Sequence, residues 1–238
     1  MRRLLLLLAT KDTPGFEAAV RERAGDFEQA AHDAMADLRV AVRIDNDPMA
    51  AAAGGRTVAA LHAIVEATVS DDADDDALVG LAKTVGDALR GVVDWQRSAV
   101  ALGTLHTVLP AASDELVLVL AAHRLPTVSQ AEFGDYWLNC HAALALSLLD
   151  HDAQALMGYE QLHTDESASA AAAAAAGAAT SSYDGVLEVG LAAIEHLPHA
   201  TNPEFAKAIA DDEQNFADQS AVMCGAFLRP VLRSERRG

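Results

Sequence analysis

Cysteine, aromatic side chains and positive charge are all scarce in this chain. There are two cysteines, Cys140 and Cys224, in 238 residues. They make neither a disulfide framework nor a zinc motif, so a reducing, cytoplasmic setting is expected. Lysine and arginine total 17 against 35 aspartates and glutamates, a net charge of −18. The deficit holds in both halves, with 11 basic against 17 acidic side chains in residues 1–112 and 6 against 18 in residues 113–238. Phosphate neutralisation needs a basic face, so no nucleic-acid partner is expected. No apolar run is long enough to cross a bilayer, and no membrane partner is expected. The opening Met1–Ala9 imitates a secretory leader. Its apolar run stops at Thr10–Lys11–Asp12 without a small-residue cleavage site, and a buried strand is the better reading. Glycine-rich dinucleotide loops, the phosphate-binding P-loop, the G-x-S-x-G elbow and the C-x-x-C-H haem attachment are absent from the sequence. That argues against a nucleotide held by a standard loop and against covalent haem.

What remains is ordinary for a globular protein that can bury a full core: 51% hydrophobic and 22% charged residues. Periodicity predicts one element order twice. In the first half Arg3–Thr10, Asp37–Asp45, Thr57–Val69 and Gln96–Val108 read as strands, with helices over Phe16–Met35 and Asp74–Val93. In the second half Glu115–Arg124, Ala155–Thr164, Asp184–Ala193 and Ala221–Leu232 read as strands, with helices over Ser129–Asp150 and Pro203–Ser220. Ser129 with Glu132 predicts a capping box. Thr201–Asn202–Pro203 suits a helix start. The acidic run Asp71, Asp72, Asp74, Asp75 and Asp76 suits a helix dipole, and it lacks the ligand spacing of a calcium loop.

The expected fold is therefore α+β, two ferredoxin-like βαββαβ repeats closing on each other as an intramolecular pseudo-dimer. The predicted domains are residues 1–110 and 113–233, joined by Leu109–Asp114. Residues 166–182 are rich in alanine and carry no apolar stripe, so a mobile surface loop is expected, with a short helix or a lid as alternatives. Two exposed strand edges could serve further self-association.

With few aromatics in the chain, the density of rings in Phe133–Gly134–Asp135–Tyr136–Trp137–Leu138–Asn139–Cys140–His141 stands out. Phe133, Trp137 and His141 fall four apart on one predicted helix face, continued by Leu144 and Leu148. An imidazole aimed into an apolar interior suits a general base or a satisfied core histidine. Trp137, Tyr136 and Phe133 would wall an aromatic ligand, or simply pack. Arg124 ends a strand and could clamp an anion or sit in a salt bridge. Glu188 shares a strand face with Val186 and could orient His141, or face solvent at an edge; His62 holds the comparable place in the first half. Tyr183 and Asp184 open that strand and could line an entrance. His196 and His199 are separated by proline and lack a third ligand, so no metal site is expected there.

The second half resembles the EthD family of dimeric α+β barrel proteins. The matching residues are His123–Arg124–Leu125–Pro126, Ser129–Gln130–Ala131–Glu132–Phe133, Tyr136–Trp137 and His141–Ala142. Tyr183–Glu188 and Asp211–Asp218 follow in family order. The first half keeps the element order but puts Val20 opposite Trp137 and Ala24 opposite His141, so it reads as a degenerate repeat. The resemblance implies a small enzyme acting on a hydrophobic, aromatic or polyketide-like molecule. Its chemistry would be cofactor-independent oxidation or His141-mediated acid–base work: cyclisation, dehydration or decarboxylation. Catalytic roles fall to His141 and Glu188, with substrate contacts from Trp137, Tyr136, Phe133, Arg124, Tyr183 and Asp184. The alternatives are a non-catalytic ligand-binding or accessory protein, and a haem-binding barrel.

Overall fold

Five consecutive leucines are accommodated because both faces of their strand are buried. In β1 (Arg2–Leu8), Leu4, Leu6 and Leu8 pack under helices against Phe16, Phe27 and Leu78. Leu5 and Leu7 point the other way, against Ile64, Val119 and Val186. The computed structural model describes residues 1–10, 12–49, 58–70, 74–111, 115–149, 157–179, 183–197 and 202–235. After β1 come α1 (Thr13–Glu22), α2 (Ala24–Asp33), β2 (Asp37–Arg43), β3 (Val58–Ala60), β4 (Ala63–Val69), α3 (Asp75–Ala88) and β5 (Ala99–Leu109). Then follow β6 (Leu116–Ala122), α4 (Gln130–Tyr136), a π turn (Trp137–His141), α5 (Ala142–Leu148), β7 (Gly158–Thr164), α6 (Glu166–Ala176), β8 (Gly185–Leu191), α7 (Pro203–Glu213) and β9 (Met223–Ser234).

Eight antiparallel strands close into a barrel in the order β2-β4-β1-β5-β7-β8-β6-β9, with β9 returning to β2. The first half runs β2-β4-β1-β5 and the second β7-β8-β6-β9, and in each the fourth strand pairs with the second strand of the other half. Every barrel strand therefore has two neighbours, and the edges foreseen for pairing between chains are used within this one. Short β3 lies parallel to the start of β9. Among the described residues, no helix is long and apolar enough to cross a membrane.

Local signals explain the helix starts. Ser129 and Glu132 form the reciprocal capping box. Asn202 Oδ1 accepts from the backbone N–H of Glu204 and Phe205 at 3.1 and 3.0 Å, with Pro203 in the first turn. Asp74 caps α3 by accepting from Asp76 N–H at 3.1 Å. The neighbouring Asp71 and Asp72, like His199, Thr201 and the end of the Leu109–Asp114 junction, lie outside the described residues.

Three expectations need correction. The helix read over Phe16–Met35 breaks at Arg23, whose backbone (φ −103°, ψ 9°) leaves the helical region, giving α1 and α2. The strand read over 57–69 is interrupted at Leu61–His62. The alanine-rich segment is not a loop over most of its length: Glu166–Ala176 is α6. Asp165 caps it by accepting from Ala168 N–H at 3.0 Å, and Gly177 ends it at φ 79°. No large apolar stripe is needed, because Ala172, Ala173 and Ala176 fit against α3 and β5 within the core of the first half. Ser169 adds two hydrogen bonds, Oγ accepting from Leu102 N–H at 2.9 Å and donating to its carbonyl at 3.1 Å.

The barrel interior is apolar toward Leu61 and Cys224 and charged around Arg3. Arg3 is 5% exposed. Its guanidinium donates to Glu160 and Glu188, each at 2.8 Å, and to Thr68 Oγ1 at 2.9 Å, and it pairs with Glu66 at 3.0 Å. Arg39 bonds both Glu66 and Glu188 from the other side. Burial pushes the Glu66 carboxyl up, and the facing Arg3 and Arg39 charges pull against that shift. A folded-state acid raised above its unfolded value costs stability as pH rises through the interval between the two. Arg3→Met leaves buried Glu66 and Glu188 and half-buried Glu160 without their central cation. We expect it to lose about 3–5 kcal/mol in denaturant unfolding, with a larger loss at pH 8 than at pH 5. A loss independent of pH would show that the carboxylates do not depend on Arg3.

Candidate functional site

The ring-rich helix is not a single α-helix. At Trp137–His141 it widens into a π turn, in which Ala142 N–H bonds back to the Trp137 carbonyl. The wider turn moves the buried stripe on to Ala142, Ala145 and Leu149, so Leu144 and Leu148 do not continue it as the four-residue spacing predicts. Phe133, Trp137 and Phe216 form a small aromatic core, with ring centroids 5.4 Å apart for Phe133–Trp137 and 5.6 Å for Phe133–Phe216.

His141 is 7% exposed and lies 5.0 Å from the Phe216 ring, between the π turn and the end of α7. Its Nδ1 meets Asp212 Oδ2 at 2.7 Å. Tyr136 Oη donates to the other oxygen, Asp212 Oδ1, at 2.7 Å, and accepts from Asn215 Nδ2 at 3.2 Å. Burial pushes the Asp212 carboxyl up. The hydrogen bonds from Tyr136 and His141, the His141 charge and the Asn215 amide together outweigh it and hold the group below the usual carboxylate range. The same bond to Asp212 raises the Tyr136 hydroxyl, with burial adding to it. An ionised Asp212 accepts, so Nδ1 carries the proton and the Nε2 lone pair is left to act as a base. Among the described residues, no hydrogen bond reaches Nε2.

The remaining residues singled out from the sequence lie elsewhere. Glu188 is in the barrel interior with Arg3 and Arg39, and the carboxylate on His141 is Asp212. Glu188 pairs across strands with Val119, and its counterpart in the first half, paired with Leu5, is Glu66 rather than His62. Arg124 is committed locally: its backbone N–H and Nε donate to Asp184 at 2.9 and 3.1 Å, and Nη1 donates to the Val128 carbonyl at 2.7 Å. Tyr183 stands 4.7 Å from the His123 ring, and burial together with the nearby Cys224 thiol raises its hydroxyl. Thus the structure brings together His141 and Tyr136 beside Trp137 and Phe133, leaves the neighbouring Arg124–Asp184 pair bonded to itself and to Val128, and places Glu188 inside the barrel.

Sequence reasoning missed the sheet side of the site. Tyr159, Gln161 and His163 alternate along β7 and face the helix. The Gln161 amide donates to the Trp137 carbonyl at 3.2 Å and to Tyr159 Oη at 2.7 Å, which leaves its Oε1 to accept from His163 Nε2 at 3.0 Å. The His163 ring stacks on Trp137 (5.3 Å, 13°) and sits 4.3 Å from His106 on β5. A cleft of about 890 Å³ opens there, lined by Thr104, His106, Gln130, His163, Thr164 and Asp165 among others. The alternation in Gly158–Thr164 was the available signal. Among the described residues, no group of three or more His, Cys, Asp or Glu side chains is placed to hold a metal ion.

Residues 125–220 match the family model of the EthD domain. No curated relative matches the chain. Solved structures with a similar fold include a dye-decolorizing peroxidase from Bacteroides thetaiotaomicron (8% identity, 97% of this chain and 93% of that one, TM-score 0.56). A provisionally named monooxygenase from Fusobacterium nucleatum is similar over 100% of this chain and 94% of its own (11% identity, TM-score 0.55). A chlorite dismutase variant from Candidatus Nitrospira defluvii covers 97% and 91% (9% identity, TM-score 0.54). At these identities the likeness concerns the fold alone.

Burial, and to a lesser extent His106, lowers His163 from 6.5 to about 4. A histidine depressed in the folded state stabilises above its unfolded value and loses that contribution as pH falls toward the folded one. We expect stability to decline as pH drops from 6.5 toward about 4, and His163→Gln to flatten that slope in urea unfolding. An unchanged slope would assign the acid sensitivity to other groups.

Proposed function

We propose that the chain is an EthD-type small enzyme, oxidative or acid–base in character, whose second half carries the site. The observation that carries this reading is the Asp212 carboxylate held between His141 Nδ1 and Tyr136 Oη, each at 2.7 Å. Asp212 fixes the imidazole tautomer, His141 Nε2 takes the proton, and Tyr136, held protonated by its bond to Asp212, fixes the carboxylate from its other oxygen. The substrate of this reading is a hydrophobic, aromatic or polyketide-like molecule. The reaction is cofactor-independent oxidation or a proton-transfer step leading to cyclisation, dehydration or decarboxylation. The fold-level relatives named as a peroxidase and a monooxygenase favour the oxidative branch by analogy only.

The equal strand orders of the two halves support reading them as two repeats that form a pseudo-dimer, with the first repeat supplying the barrel partner. With the barrel strands paired, further self-association would use helix faces rather than strand edges. The two unpaired cysteines, one exposed and one buried, fit a reducing cytoplasm, and the acidic surface fits neither nucleic acid nor anionic membrane. Haem does not fit beside His141: the described residues around the imidazole, with Phe216 against it, pack too closely for a macrocycle. No step is assigned to such a group.

Turnover of a substrate found by screening aromatic and polyketide-like compounds tests the reading. His141→Gln should lower kcat by about 10²–10⁴, the usual contribution of a general base. Asp212→Asn should lower it by freeing the tautomer, and Tyr136→Phe by less. Equal turnover in wild type and His141→Gln would remove His141 from the chemistry. Ligand retention without turnover in the wild type would instead favour an accessory binding protein.

A further inference from the structure

We propose that His106 and His163 form a binding site for a divalent late transition-metal ion with tetragonal preference, Cu²⁺ or Ni²⁺. The site is separate from His141 and does not rest on the function proposed for it. Thr104 pairs with His163 and His106 with Gln161, so the two histidines are diagonal neighbours on one face of adjacent strands. Their ring centroids are 4.3 Å apart and tilted by 47°. With metal–nitrogen bonds of about 2.0–2.1 Å, each centroid would lie about 3.2 Å from a shared ion. A separation of 4.3 Å then subtends about 85° at the ion. That is the angle of adjacent positions in square-planar or octahedral coordination and is narrower than a tetrahedral angle, which argues against Zn²⁺.

The surroundings match what metal-binding imidazoles require. His163 donates Nε2–H to Gln161 Oε1 at 3.0 Å, and Gln161 is itself fixed by its two donated bonds. A ligand histidine anchored in this way through its other nitrogen presents a set tautomer, here with the lone pair on Nδ1. Gly134 lies against that atom, and a Cβ there would crowd it at 2.8 Å from Nδ1. This accounts for a glycine inside the ring-rich helix, where helix propensity alone would favour alanine. The 890 Å³ cleft gives room for water to complete the coordination sphere. Asp165 and Glu166 add negative charge to its wall, and the one arginine there, Arg2, is already paired with Asp75.

The test uses the full chain without an affinity tag, titrated calorimetrically with Cu²⁺ and Ni²⁺, with electron paramagnetic resonance on the Cu²⁺ form. One saturable site per chain is expected, with a tetragonal spectrum showing superhyperfine coupling to two imidazole nitrogens. His163→Gln and His106→Gln should each weaken binding at least tenfold. Gly134→Ala should weaken it by covering Nδ1, and His123→Gln should leave it unchanged. Circular dichroism checks each fold; if His163→Gln unfolds, the His106→Gln result decides. Absence of a saturable site, undiminished binding in His106→Gln, or tighter binding of Zn²⁺ than of Ni²⁺ would each overturn the proposal.

Discussion

The barrel closes around a charge that cannot be removed. An arginine keeps its proton under any condition in which the protein is folded, so burying Arg3 obliges the surrounding strands to deliver carboxylates. Glu66 comes from the first half, Glu160 and Glu188 from the second, and Arg39 closes the circuit. Such a cluster contributes little net stability once desolvation is counted, but its geometry is exacting. A one-residue slip of β7 or β8 would turn Glu160 or Glu188 out of the lumen and leave Arg3 uncompensated. The register that aims Glu160 inward is the one that aims Tyr159, Gln161 and His163 outward under α4. The arrangement of the candidate site is in this sense set from inside the barrel.

On the helix side the corresponding element is the π turn. One added residue per turn sends the Trp137 carbonyl to Ala142 N–H while it also accepts from Gln161, so the helix is joined to the sheet through its backbone. The same widening leaves His141 toward α7 rather than along the stripe that follows. Trp137 and His141 therefore serve two different neighbours, the sheet and the second helix, although they are four residues apart in one motif.

Much of the architecture was legible in the sequence. The order of strands and helices along the chain, the capping box at Ser129 and the start at Asn202–Pro203 depend on local pattern, and local pattern is what a sequence displays. That Phe133, Tyr136 and Trp137 would lie close together was also legible, because rings are rare in this chain and these are crowded together. Their partners were not. Asp212 lies 71 residues from His141, in a run of acids where nothing marks one from the next. Glu188 was read correctly as interrupting an apolar strand, but alternation alone does not say whether its face is the lumen or the helix layer. The alanine segment misled because helix burial is usually signalled by large side chains, whereas here the neighbouring elements come close enough for methyl groups to suffice.

That alanine helix ties the two halves together. It is inserted between two strands of the second half, yet Ala172, Ala173 and Ala176 complete the hydrophobic core of the first. The polypeptide that leaves one half to fill the other must come back to form β8, so neither half is a closed folding unit. A cut at the midpoint of the chain would expose a groove on the N-terminal piece and leave the C-terminal piece with a helix that has nothing to pack on. The two halves thus hold part of their core in common, and changes in one are constrained by the shape of the other.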